Sequence, residues 1–274
     1  MSEIQIILSE NVTTEQCRAV RLYLDDVNQL SSRDWRTALE GFDSLRSSVV
    51  CIDSEKFTFE MFYKLFVEQR YTDQFIQRIY NEPNLEQTGR RIQASTAREI
   101  LHRLSEEGLY GRHIANSEYL ASYLLYWWAA FAKGYLFELS IFRDLESAGI
   151  QFVAHDIRTR RGRLSPSDLF VEGLAGDIKN TTYFLYSSRS FPLTNDFYIT
   201  RLYDEKQRKY LPIVIIKPAA WQFINGDVLP CSFQEAANFL PQTVQVDFEG
   251  EGLVVVDYNV WKQKTLSKQR RQRR

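Results

Sequence analysis

The hydrophobic period of this chain changes once, at Ala148-Gly149, and that change limits the folds open to it. Ahead of it, TTEQCRAVRLYLDDVNQL, SSRDWRTALEGFDSL, FTFEMFYKLFVEQRY and ASTAREILHRLSEEG space apolar residues three or four apart behind Ser, Thr or Asp start signals. Only Ser48 to Ile52 (SVVCI) reads as a strand there. A long helical pattern runs from Glu118 to Ser147 and stops at Ala148-Gly149. Beyond it the period is 2: QFVAHDI, SDLFV, GDIKNTTYFLY, FYITRLY, LPIVII and LVVVDY are short β-branched or aromatic runs divided by Gly, Pro and Asn. Phe233 to Phe239 and Ser187 to Ser190 read as helical or irregular connections. The expectation is an α+β or α/β protein with three parts: a mostly helical region over 1–113, a sheet-bearing domain over 114–262, and a basic tail over 263–274.

At 274 residues and 32.2 kDa the chain can bury a core without covalent staples. Cys17, Cys51 and Cys231 form no CxxC pair, so neither a disulfide framework nor a zinc knuckle is suggested, and a reducing cytoplasm is expected. The longest apolar stretch, Ala121 to Ala132, falls short of the roughly 18 to 20 residues of a membrane helix, and residues 1–20 lack the pattern of a secretory signal. Lys plus Arg (34) nearly equals Asp plus Glu (35), so any polyanion site must be local. Two segments concentrate basic residues: RTRRGR, with Arg158, Arg160, Arg161 and Arg163, and the segment from Lys262 onward, which holds seven bases and no acid. Either can be a solvated face.

Two acid-x-Lys triplets occur, Asp204-Glu205-Lys206 in a polar stretch and Asp177-Ile178-Lys179 in a strand. A period of 2 puts Asp177, Lys179 and Thr181 on one face of that strand. If Glu172-Gly173 is a two-residue hairpin turn, Val171 opposes Leu174, Leu169 opposes Gly176, and Asp168 opposes Asp177. Facing carboxylates repel unless something neutralises them, and a hard divalent cation would do so. Glu138 lies on the stripe Phe131, Tyr135, Glu138, Phe142, Leu145, spaced 4, 3, 4 and 3, which must pack inward. An ionised carboxylate there needs a partner. The bland alternatives are a glutamate that reaches the helix edge or an arginine, and a cross-strand ion pair between Asp168 and Lys179.

From about Gly134 to Tyr203 these residues resemble the PD-(D/E)xK nuclease superfamily, the restriction-endonuclease-like fold. In that pattern a helix carrying Glu leads into a strand, a hairpin opens with Pro-Asp, and the next strand carries Asp/Glu-x-Lys. Glu138, Asp168, Asp177 and Lys179 stand in that order, and GYLFELSIFRDLESAG is similar to the family's first helix. Pro166-Ser167-Asp168 departs from the pattern by one inserted serine. The resemblance implies a mixed central sheet flanked by helices. It also implies hydrolysis of phosphodiesters in DNA, with RNA an open alternative and an endonuclease favoured, in restriction, repair or mobile-element defence. Asp168, Asp177 and the backbone carbonyl of Ile178 would hold Mg²⁺ or Mn²⁺, Lys179 would orient the attacking water, and Glu138 would hold a second metal or a water.

The arginines of RTRRGR would then grip phosphates near the site, since guanidinium forks match phosphate geometry; Lys206, Arg208 and Lys209 could extend that surface. The helical first half would recognise DNA or form a homodimer, and no membrane partner is expected. A nuclease-like module that binds nucleic acid or protein without cutting is the alternative; a helical interaction protein with surface ion pairs is a third. Other chemistries find little support. His102, His113 and His155 lack zinc-ligand spacing and read as structural, and neither GxxxxGK[ST] nor GxSxG occurs. Tyr126-Trp127-Trp128 reads as helix packing rather than a stacking platform for bases.

Overall fold

The computed structural model of the chain describes residues 3–26, 32–186, 193–204, 206–221, 228–233 and 235–272. The connection expected at Ser187 to Ser190 lies outside them. The chain divides into two compact units, Met1–Lys133 and Gly134–Arg274.

The first unit is helical, as its period requires, with α1 (Thr14–Asp26), α2 (Ser32–Leu45), α3 (Phe59–Tyr63), α4 (Gln69–Tyr80), α5 (Leu85–Glu106) and the start of α6 (Ser117–Ser147). It also carries an antiparallel sheet in the order β1 (Ile4–Ile7), β2 (Val49–Ile52), β3 (Glu55–Thr58), of which only β2 is anticipated by the sequence. β1 and β3 have four residues each, too few for a period to declare itself, and the β2–β3 turn uses Asp53 at φ 54° instead of a glycine. Trp128 is 1% exposed and donates to the Gln93 carbonyl at 3.2 Å, while Tyr126 stacks on Phe42 at 4.0 Å between centroids. The aromatic run is core packing.

The second unit is built on an eight-stranded mixed sheet in the order β4 (Val153–Ala154), β5 (Leu169–Val171), β6 (Leu174–Ile178), β7 (Phe197–Asp204), β8 (Lys209–Ile216), β11 (Glu251–Asp257), β10 (Val244–Phe248), β9 (Leu229–Cys231). β6 and β7 are parallel, as are β9 and β10; the remaining neighbours are antiparallel. The continuous apolar runs IVII and LVVV lie in the central strands β8 and β11, where both faces are covered and no polar alternation is needed. One core joins Tyr198, Ile213, Ile215, Val244, Val246 and Val255. After the short α8 (Ala236–Phe239), α9 (Tyr258–Gln272) places Trp261 5.6 Å from Phe197, ring to ring. The architecture is thus mixed helix and sheet, and among the described residues no helix is long and apolar enough to cross a membrane.

Several expectations need correction. QFVAHDI yields only the two-residue β4, and GDIKNTTYFLY supplies the end of β6 and then a 3₁₀ turn at Thr182–Tyr186, so Thr181 does not continue the strand face of Asp177. Within RTRRGR, Thr159 accepts a hydrogen bond from the Gly162 amide and caps a short helix, α7 (Arg160–Arg163), which the sequence did not announce. The basic segment continues α9 as far as Gln272, because Trp261, Thr265 and Gln269 are spaced four apart and all buried. Gln269 exchanges two hydrogen bonds with the backbone of Gln151, at 2.8 and 2.9 Å, and Lys268 meets Glu172 at 3.3 Å.

Candidate metal centre

The hairpin that carries the acids forms in the expected register. Glu172 (φ 54°) and Gly173 (φ 80°) make a two-residue turn with positive φ at both positions, and Val171↔Leu174, Phe170↔Ala175 and Leu169↔Gly176 pair across it. Asp168 continues that register beside Asp177: its amide donates to the Gly176 carbonyl at 2.9 Å, and its own carbonyl accepts from the His155 amide at 2.9 Å. Its backbone is thereby held from both sides. The serine inserted between Pro166 and Asp168 has a structural use, since buried Ser167 donates to Asn195 Oδ1 at 2.6 Å and Asn195 Nδ2 returns to the Pro166 carbonyl at 3.2 Å. The segment entering the hairpin is tied to the loop that precedes β7. Gly176 is required where it stands, because a Cβ there would overlap the ring of Phe197, its register partner on β7.

Four predicted side chains come together here. Asp168 Oδ2 accepts from the Ile178 amide at 2.7 Å. Asp177 is buried, and Lys179 Nζ lies 2.9 Å from its Oδ1 and 2.7 Å from its Oδ2. Burial, then the hydrogen bond to Asp168 and that group's charge, push the Asp177 carboxyl up to about 7 against the opposing pull of Lys179. Burial acts to lower the Lys179 ammonium, but Asp177, Asp168 and Glu138 outweigh it and hold it above its ordinary value. Lys179 therefore stays charged at neutral pH. Its side chain is 39% exposed, so the cation reaches solvent.

Glu138 faces inward on α6 as its stripe requires, and its partner is neither an arginine nor the helix edge. Glu138 Oε1 and His155 Nε2 are 2.5 Å apart, and His155 Nδ1 is 3.6 Å from Asp168 Oδ1. His155 thus links the helix to the hairpin, and its ring stands among carboxylates that its spacing in the sequence did not disclose. Burial disfavours its protonated form, but the hydrogen bond and charge of Glu138, with Asp168 and Asp177 behind, raise it above its ordinary value. The missed signal is a register. Ala154 pairs with Leu169, so His155 stands opposite Asp168. That pairing spans a helical connection, and no turn chemistry in the sequence specifies it.

Glu138, His155 and Asp168 each offer one donor atom, all within 4.8 Å of one another, and are the one such His/Cys/Asp/Glu group among the described residues. Two carboxylates and an imidazole form a donor set that a divalent ion accepts. Asp177 is not in that group; both of its oxygens face Lys179 Nζ. His102 lies elsewhere, 76% exposed and 3.4 Å from Glu106. Of the four arginines, Arg158 is held by Asp156 in a bidentate pair at 2.8 and 3.1 Å, and Arg163 donates to the Ile157 carbonyl, whereas Arg160 and Arg161 are exposed. No protein family, curated protein or solved structure matches the chain.

Proposed function

We propose that the chain is a metal-dependent nuclease of the PD-(D/E)xK type that hydrolyses phosphodiester bonds in DNA. The observation that carries this reading is the convergence of Glu138, Asp168, Asp177 and Lys179 on one hairpin and the helix facing it, in the chain order that the resemblance requires. An ion pair on a solvated sheet face would need neither the buried glutamate nor the histidine that joins it to Asp168.

Asp168 and Asp177 would hold Mg²⁺ or Mn²⁺, with Glu138 behind them. The bound ion would supply Lewis-acid polarisation of the scissile phosphate and a more acidic water. Lys179, charged and within reach of solvent, is suited to orient a water and to stabilise negative charge on the phosphate rather than to accept a proton. Exposed Arg160 and Arg161 on α7, in the connection that leads to Asp168, are suited to contact phosphates. The test is a supercoiled plasmid incubated with the purified chain and Mn²⁺ or Mg²⁺. Nicking or linearisation, lost in EDTA and in Asp177→Ala, is expected. Binding of DNA with no cleavage under any divalent ion would replace the enzyme with a non-cutting module.

A further inference from the structure

We propose that His155 is itself a metal ligand, sharing one divalent ion with Asp168 through Nδ1, and that Glu138 is a positioning residue that holds the imidazole from behind. The inference rests on the metal-dependent reading of this site but not on the reaction catalysed there. The His155 side chain is 8% exposed, and its Nδ1 is buried with no hydrogen-bond partner. Buried polar atoms in that condition call for an explanation. The gap of 3.6 Å to Asp168 Oδ1 is too long for a hydrogen bond, yet two metal–donor bonds of about 2.1 Å span it with ease.

The other side of each ligand is already occupied. His155 Nε2 is hydrogen-bonded to Glu138 at 2.5 Å, and the Glu138 side chain is 9% exposed. A ligating histidine nearly always donates its second ring N–H to a carboxylate, a backbone carbonyl or a water, which fixes the ring and raises its basicity; here the acceptor is a carboxylate. Asp168 Oδ2 accepts from the Ile178 amide, and Oδ1 is the oxygen that lies 3.6 Å from His155 Nδ1. The ladder bond from the His155 amide to the Asp168 carbonyl, at 2.9 Å, fixes the two donors on neighbouring strands. An imidazole nitrogen in place of a third oxygen favours Mn²⁺ and later first-row ions over Mg²⁺. This assignment changes the expected role of Glu138, from a ligand of a second metal to the support of a ligand to the first.

The full chain loaded with Mn²⁺ allows a direct test, because pulsed electron paramagnetic resonance detects a nitrogen bound to the ion and the chain has only three histidines. Coupling to one imidazole nitrogen is expected in wild type, kept in His102→Gln and His113→Gln and lost in His155→Gln. Glu138→Gln should keep the coupling while binding Mn²⁺ about 10- to 100-fold more weakly. Wild type needs no substitution to give its answer, so a misfolded variant does not shield the proposal. Mn²⁺ bound without nitrogen coupling, or no Mn²⁺ bound at all, would overturn it. Plasmid cleavage in the same preparations separates the two readings. Coupling without cleavage leaves the ligand set and removes the nuclease; cleavage without coupling leaves the nuclease and removes His155 from the ion.

Discussion

Replacing Asp177 by asparagine should change how stability depends on pH. In the folded chain, burial and the neighbouring Asp168 hold the Asp177 carboxyl at about 7, against an ordinary value of 3.8. An acid raised on folding keeps its proton longer in the folded state. Its contribution to stability is therefore fully present below about pH 3.8 and is lost as pH rises through 7. Each pH unit over which the two states differ by one proton changes stability by about 1.4 kcal/mol, so the window amounts to roughly 4 kcal/mol. Asparagine cannot ionise and should not show this loss. Lys179 titrates above the window, and Asp177 is the weakest of the causes acting on His155, so both largely cancel in the comparison. Urea unfolding of the two proteins in EDTA, at intervals from pH 4.5 to 8, gives the difference directly. Asp177→Asn should gain on wild type by about 3 kcal/mol or more across that range, whatever constant offset the missing ion pair adds. A difference that stays flat would show that Asp177 titrates as an ordinary carboxylate and that the hairpin imposes no charge conflict.

Gly176→Ala should destabilise the second unit by about 1 to 3 kcal/mol, as overpacking does, because its methyl group would meet the Phe197 ring; Phe197→Leu should restore part of the loss in a thermal melt, and an unchanged melting temperature would contradict the close approach. Deleting residues 266–274 removes the two Gln269–Gln151 hydrogen bonds and the Lys268–Glu172 pair, so a loss on the order of 2 kcal/mol is expected in calorimetry even without DNA. A deletion that affects only DNA binding would make this end of α9 a tail after all. Replacing Arg160 and Arg161 together should reduce the slope of log K against log salt by about 0.9 for each duplex phosphate that the chain no longer neutralises. Arg158→Ala should alter that slope less, since its guanidinium is already held by Asp156, and equal effects would refute the distinction.

The parts of this molecule that were legible in the sequence are those set by local chemistry. The Glu172-Gly173 turn fixes the register of the hairpin, and that register places Asp168 beside Asp177 without further information. The stripe on α6 sends Glu138 inward for the same kind of reason, since a helix with one apolar face has one direction to turn it. His155 escaped because its position depends on β4 pairing with β5 across α7, an arrangement specified by packing rather than by a turn. β1, β3 and β9 have three or four residues each, and strands so short carry too little pattern to separate from loop. β10 is a different case, since Val244, Val246 and Phe248 alternate with exposed residues and were open to reading. The end of α9 was obscured by its charge. Seven bases from Lys262 onward suggest a solvated segment, while Thr265 and Gln269, which fix its packing, are not residues that a hydrophobic pattern marks.

The central claim, that this hairpin and helix form a metal-dependent phosphodiesterase, is tested most directly by cleavage of an end-labelled DNA duplex over a Mn²⁺ series. Wild type should be compared with Asp168→Ala and Lys179→Ala, with duplex affinity measured in the same samples. If both side chains act on the reaction more than on docking, as the proposed function requires, cleavage should disappear in each variant while affinity stays within about tenfold of wild type. Cleavage at the wild-type rate in either variant, or cleavage by wild type that persists when every divalent ion is chelated, would contradict the assignment.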